Sequence, residues 1–207
     1  MKICYIVGAG EFGDGLPRPL GTDMVIACDG GYDHCRARGI KVDLVVGDFD
    51  SISCQPKQGQ VVRLKPEKDE TDMGWAVMEG WRRGYREFVF YGGTGGRFSH
   101  TIANIALLTD IAEMGGHGLL VGRGCWMRVI HNEEIRFKEE ERGYLSVFCL
   151  GDRAAGVYEE GLKYGLEDAL LTKGNPLGVS NEFLGLDSRV SVREGSLLLV
   201  WEKKEDA

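Results

Sequence analysis

The chain has 207 residues, a formal net charge of −7 and an apolar fraction of 43%. That length holds one domain or two small ones with cores of their own, and the acidic balance excludes the broad positive footprint of a nucleic-acid binder. No stretch is long and apolar enough to span a bilayer.

The first two-thirds alternates strands and helices. Ile3 to Val7 is an apolar strand ending at Gly8, and Met24 to Cys28 is a second, ending at Asp29. Tyr32 to Arg38 forms a short helix stopped by Gly39. Leu44 to Val46 is a strand ending at Gly47-Asp48, and Val61 to Leu64 is another. Thr71 caps a helix running to Arg83, with Met73, Val77, Met78 and Trp81 near helical spacing. Phe88 to Tyr91 is a strand that ends at Gly92-Gly93. Ser99 caps the next helix, which runs to Met114, and Leu119 to Val121 closes the series. Beyond Gly124 the runs are short and strand-like: Met127–Ile130, Ile135–Phe137, Leu145–Cys149, Ala155–Tyr158 and Ser196–Trp201. Tyr164 to Thr172 is the best remaining helix candidate, or a turn-rich link. The expectation is an α/β domain with a mostly parallel sheet over residues 1–124, followed by a small all-β, sandwich-like domain over 125–207.

The six cysteines include no CxxC pair and match no zinc spacing. Cys4, Cys28 and Cys149 fall in strand runs and read as buried thiols, with Cys54 the most exposed. A reducing compartment and the lack of a signal-peptide pattern point to the cytoplasm.

The chemistry-bearing residues cluster at glycine turns. Open parallel sheets place ligands beyond the carboxyl ends of their strands. Asp29, Asp48, Asp50 and Gly92 all follow candidate strands, so they are expected to share one sheet edge. Asp48 and Asp50, two apart, suit a divalent ion, because like charges are costly unless neutralised; a solvated strand-end turn is the plainer alternative. Asp69, Thr71 and Asp72 form a second acidic group at a helix start, where capping by Thr71 is the competing reading. Lys65 and Lys68 lie nearby. Gly92-Gly93-Thr94-Gly95-Gly96-Arg97 can cradle phosphate with its amides and the Arg97 guanidinium. It is neither a Walker A loop nor a dinucleotide fingerprint. His100 either binds phosphate or packs at the helix start. Gly8-Ala9-Gly10 is a weaker phosphate-loop candidate. Ser180 and Asn181 either read an organic substrate or sit in a turn entering a strand. Trp126 and Trp201 either stack on a ligand or pack in the core. No Ser/His/Asp triad, GxSxG or HExxH is present.

In order, Asp29-Gly30-Gly31, Gly47-Asp48-Phe49-Asp50-Ser51-Ile52, Asp69-Glu70-Thr71-Asp72, Gly93-Thr94-Gly95-Gly96-Arg97-Phe98-Ser99-His100, Asn104 and Gly178-Val179-Ser180-Asn181-Glu182 resemble the thiamine pyrophosphokinase family. The resemblance covers most of the chain. It implies transfer of pyrophosphate from ATP to thiamine with Mg2+, by homodimers that hold thiamine at the subunit interface. It assigns Asp48, Asp50 and Asp72 as magnesium and catalytic carboxylates and Arg97 as a catalytic phosphate contact. Asp29, Asp69, Gly95, Gly96, Arg97 and His100 fall to the ATP site, and Ser180 and Asn181 to thiamine. Ser99 stands where many bacterial members carry Asp, which keeps a capping group but loses a charge. Two other readings share the motifs: transfer to a pterin or other heteroaromatic alcohol, and a sensor that binds without turnover.

Overall fold

The computed structural model describes residues 2–15, 17–49, 52–56, 59–65, 70–175 and 177–204. Three helices and fourteen strands occur among them. In chain order they are β1 (Ile3–Val7), β2 (Met24–Cys28), α1 (Gly31–Ala37), β3 (Leu44–Gly47), β4 (Gln60–Arg63), α2 (Asp72–Arg82), β5 (Glu87–Tyr91), α3 (Phe98–Glu113) and β6 (His117–Val121). Strands alone follow: β7 (Cys125–His131), β8 (Glu134–Phe137), β9 (Tyr144–Cys149), β10 (Arg153–Glu160), β11 (Leu166–Thr172), β12 (Gly178–Glu182), β13 (Ser188–Glu194) and β14 (Ser196–Glu202).

The expected α/β unit followed by an all-β region is what the chain forms. Strands β6-β5-β1-β2-β3-β4 pair in parallel, with β1 in register against both β5 and β2. Alternation along β1 explains their burial on both faces. Cys4 and Ile6 pack beneath α2 and α3 with Met73, Val77, Phe88, Leu108 and Ile111. Tyr5 and Val7 face the other way, toward Tyr32 and Cys35 of α1. Each fully buried aliphatic or aromatic side chain here stabilises the fold by roughly 1.5–3 kcal/mol.

The sheet does not stop at β6. It continues antiparallel through β7, β14, β9 and β12, giving ten strands in the order β12-β9-β14-β7-β6-β5-β1-β2-β3-β4. The second sheet, β11-β10-β13-β8, lies against this extension. Leu197 and Leu199 of β14 point into the core shared with Val157, Val190 and Val192, whereas Leu198 points to the α3 side. The all-β region is therefore a sandwich with one layer continuous with the parallel sheet.

Several local expectations are corrected. The α3 helix starts at Phe98 with Arg97 as its N-cap and no side-chain cap bond, so Ser99 lies inside the first turn. Tyr164–Thr172 is not helical: Leu166–Thr172 forms β11, because pairing with β10 supplies its backbone partners. Cys149 is half-buried, since it sits near the exposed end of β9 and its Sγ contacts the Gly151 carbonyl. Cys4 and Cys28 are buried as expected, and Cys54 is half-buried beneath the Arg36 guanidinium. Trp126 and Trp201 stack on each other at 6.4 Å between centroids, with Trp201 edge-on to Phe137. No helix among the described residues is long and apolar enough to cross a membrane.

Candidate active site

Strand order locates the site. The chain runs outward from β1 through β2, β3 and β4, then α2 carries it back to β5 on the other side of β1. This reversal makes the crevice between the β1 and β5 ends the topological switch point, where open α/β sheets bind ligands. A cavity of about 490 Å³ opens there. Gly8–Gly10, Asp29, Asp48, Asp72, Arg97 and His100 are among its lining residues.

The two glycine loops are zipped together beyond the strand ends. Gly8 N–H donates to the Tyr91 carbonyl at 2.8 Å, Gly10 N–H to that of Gly92 at 2.8 Å, and Glu11 N–H to that of Thr94 at 2.7 Å. The Gly8 and Gly10 amides are thereby committed to the scaffold, which removes them as phosphate donors. Gly92 adopts φ +63°, and a Cβ there would overlap the Gly8 carbonyl oxygen, so only glycine permits this approach. Two residues unremarked in the sequence as anchors hold the loops from beneath. Buried Asn104 donates from Nδ2 to the Gly93 carbonyl at 2.8 Å, and His34 Nε2 lies 2.8 Å from the Gly10 carbonyl oxygen. Only contact geometry reveals His34, because nothing in its spacing sets it apart.

The carboxylates come from three elements. Asp29 follows β2 with φ +44°, its backbone tied to β3 by a 2.9 Å bond from its N–H to the Val46 carbonyl. Its Oδ1 accepts from Phe49 N–H at 3.2 Å, and its carboxyl occupies the space a Cβ on Gly47 would need. Asp48 follows β3, and Asp72 opens α2. Thr71 is the α2 cap, its Oγ1 accepting Gly74 N–H at 3.0 Å, and it also lines the cavity. Burial, a hydrogen bond shared with the Asp72 carboxyl, and the Asp72 and Asp48 charges push Asp29 up to about 7, with the Phe49 amide opposing. Three carboxylates from distant parts of the sequence thus meet here, and burial first, then the bond to Asp72, favours a proton on Asp29.

The structure brings Asp29, Asp48, Asp72, Gly96, Arg97 and His100 to this cavity. Arg97 and His100 lie exposed at the start of α3. Gly95 stands just outside the lining, against the Glu11 side chain. Asp50, Asp69 and Lys68 fall outside the described residues, and Lys65 is exposed. Ser180 and Asn181 are not at this cavity. They sit on β12, the far edge of the sheet, five strand spacings from β5, or roughly 24 Å at about 4.8 Å per spacing. There Ser180 is exposed with φ +60°, whereas Asn181 is buried.

Two family models match in the same order. The thiamin pyrophosphokinase catalytic domain matches residues 21–115, and the thiamin pyrophosphokinase vitamin B1 binding domain matches residues 132–197, together more than three-quarters of the chain. The chain belongs to the thiamine pyrophosphokinase family. It is 26% identical over 162 residues to a thiamine pyrophosphokinase of Bacillus subtilis, covering 74% of this chain and 75% of that one. It is 25% identical over 197 residues to thiamine pyrophosphokinase 1 of Oryza sativa, covering 87% and 71%. The crystal structure of the Bacillus subtilis thiamine pyrophosphokinase superposes with a TM-score of 0.86 at 23% identity, over 99% of this chain and 100% of that one. Yeast thiamin pyrophosphokinase superposes at 0.74 with 14% identity, over 97% and 86%. At these identities the superpositions speak to the fold, which the family thus keeps through wide sequence divergence.

Proposed function

We infer that this protein is a thiamine diphosphokinase, transferring the β,γ-pyrophosphoryl group of ATP to the primary hydroxyl of thiamine and releasing AMP. The observation that carries the reading is the meeting of Asp29, Asp48 and Asp72 with Arg97 and His100 at the switch-point cavity of a chain matching both family domains in order. A cavity of this size suits a small-molecule ligand.

Hard oxygen donors from the ends of β2 and β3 and the start of α2 fit a magnesium ion, and a bound cation would offset the Asp72 and Asp48 charges that add to the rise at Asp29. Among the described residues no group of three or more is arranged as a ready-made metal site; Asp50 lies outside them. Asp48 and Asp72, with Asp50, would hold the ion, and Asp29 would brace them through its bond to Asp72. When bound, Mg2+ neutralises polyphosphate charge and aligns an in-line displacement. Arg97 offers its guanidinium fork to phosphate oxygens as charge moves to the leaving AMP. The start of α3 adds its dipole on the same side. In this reading the hydroxyl proton goes to Asp72, at the first position of α2, on a carboxylate oxygen the ion leaves unused, a role secondary to holding the ion.

The acceptor-reading segment, Ser180 and Asn181, is too far from this cavity to meet ATP within one chain. That distance supports a homodimer in which β12 of one copy faces the nucleotide cavity of the other. Purified protein with MgATP and thiamine, resolved by chromatography and mass, tests the reading. Equal amounts of AMP and thiamine diphosphate are expected. ADP with thiamine monophosphate would refute the transfer mode, and nucleotide turnover that does not depend on thiamine would point to another acceptor. Ligand binding without any product would leave a sensor.

A further inference from the structure

Glu159 lies on β10 in line with Val157, on the face turned into the sandwich core, and is 1% exposed. Its neighbour Glu160 points outward to Arg189 at 2.8 Å. A carboxyl among Val157, Val190 and Phe183 costs folding free energy that an aliphatic residue would not. Glu159 Oε1 has no hydrogen-bond partner among the described residues and lies against Gly178 of β12. Glu159 Oε2 accepts from Asn181 Nδ2 at 2.7 Å. The same Asn181 amide donates to the Tyr164 carbonyl at 2.6 Å, while its Oδ1 accepts the Tyr164 and Glu182 N–H groups, each at 2.9 Å. All four hydrogen-bonding positions of Asn181 are therefore used internally, and its side chain has none left for a ligand.

What this network holds is a bulge. Gly178 pairs with Val147, but Asn181 pairs with Leu145, so β12 carries one extra residue over that span. Ser180 takes φ +60° there, a strained conformation for serine, and its N–H donates to the Ser146 hydroxyl at 3.1 Å. Val179 and Ser180 are left exposed at the sheet edge.

We propose that Glu159 is a positioning residue for acceptor recognition: by gripping Asn181 from across the sandwich it fixes the β12 bulge that presents Val179 and Ser180 to thiamine. This rests on the reading above that the 178–182 segment recognises the acceptor. Ser146 grips the bulge from the β9 side. Neither residue touches the reacting atoms, and neither lies at the nucleotide cavity.

Steady-state kinetics on the full-length protein test this with Glu159→Leu, Glu159→Gln and Ser146→Ala, each checked for folding by circular dichroism and thermal melting. Glu159→Leu and Ser146→Ala are expected to raise KM for thiamine roughly tenfold, the scale of one lost buried hydrogen bond. KM for ATP and kcat should stay within about threefold, since the cavity is untouched. Glu159→Gln keeps an oxygen acceptor for Asn181 and should restore KM for thiamine to near the wild-type value. A folded Glu159→Leu or Ser146→Ala with unchanged KM for thiamine overturns the proposal, as does a parallel loss in both KM values and kcat. If Glu159→Leu does not fold, Glu159→Asp, whose shorter side chain draws the carboxyl back from Asn181, takes its place and is held to the same outcomes. Wild-type protein with no thiamine-dependent AMP release would instead refute the underlying function and the proposal with it.

Discussion

Replacing Glu159 by glutamine removes a proton-binding group from the sandwich interior while keeping its shape and its acceptor for Asn181. Burial pushes Glu159 from its ordinary value of 4.5 up to about 7, the Asn181 amide pulling the other way. Because the folded state holds this proton more tightly than the unfolded chain, its contribution is fully present below about pH 4.5. It is lost as pH rises through 7. Moving this titration from 4.5 to about 7 corresponds to about 3 kcal/mol at most. Integrated between pH 5 and pH 8 the loss is about 2 to 3 kcal/mol. Urea unfolding of the wild type and Glu159→Gln across that range measures it. The variant should lead by less than about 1 kcal/mol at pH 5 and by about 3 kcal/mol at pH 8. Comparing the two proteins cancels other groups that titrate there, Asp29 among them. A stability difference that stays constant from pH 5 to pH 8 would refute the reasoning, since it would mean the carboxyl reaches solvent or a partner when ionised.

Other expectations concern the nucleotide cavity. Asp48→Asn and Asp72→Asn should each lower turnover at least about 100-fold while melting near the wild type, because they remove metal-binding charge and relieve repulsion; near-normal turnover in both would discard the assignment. Gly92→Ala should cost about 2 kcal/mol or more in denaturant unfolding, since it combines a left-handed φ with a backbone overlap at Gly8. A variant unfolding within about 0.5 kcal/mol of wild type would show that the two loops are not locked as described.

Much of the α/β half was legible because its signals agree with one another. The apolar runs Ile3–Val7 and Met24–Cys28 coincide with β1 and β2, and Thr71 caps α2 as its position suggests. Carboxylates and glycines directly after such strands point to the switch-point cavity without any knowledge of side-chain contacts. The all-β half was less legible. A charged pair at 159–160 makes Tyr158 look like a strand end, yet β10 continues to Glu160 with Glu159 inside. Strand β12, with Ser, Asn and Glu, shows no apolar run because it is a bulged edge strand, and β13 carries only a short alternation, with Ser188, Val190 and Val192 turned inward between β10 and β8. Leu166–Thr172 reads as helix or link for the same reason: its partner β10 is supplied by tertiary structure. The Asn104 and His34 anchors depend on the loops meeting in space, which spacing alone does not encode.

The separation of the two halves of the site gives the proposed dimer a quantitative test. In one chain the carboxylate cavity and the Ser180 edge lie at opposite parts of a ten-stranded sheet. A composite site then takes its nucleotide cavity from one copy and its β12 edge from the other. Asp72→Asn disables every cavity, and Ser180→Trp, a large ring on an exposed bulge, blocks every acceptor edge; each variant alone should be inactive. In a co-expressed mixture, about half of the dimers are mixed, and each mixed dimer has one doubly impaired site and one intact site. Activity should therefore return to about one quarter of wild type per total sites. Sites built within single chains would show no recovery, because every chain would carry a defect of its own. Size-exclusion chromatography of the same mixture separates that outcome from a failure to dimerise, since the first leaves dimers that are inactive and the second leaves monomers.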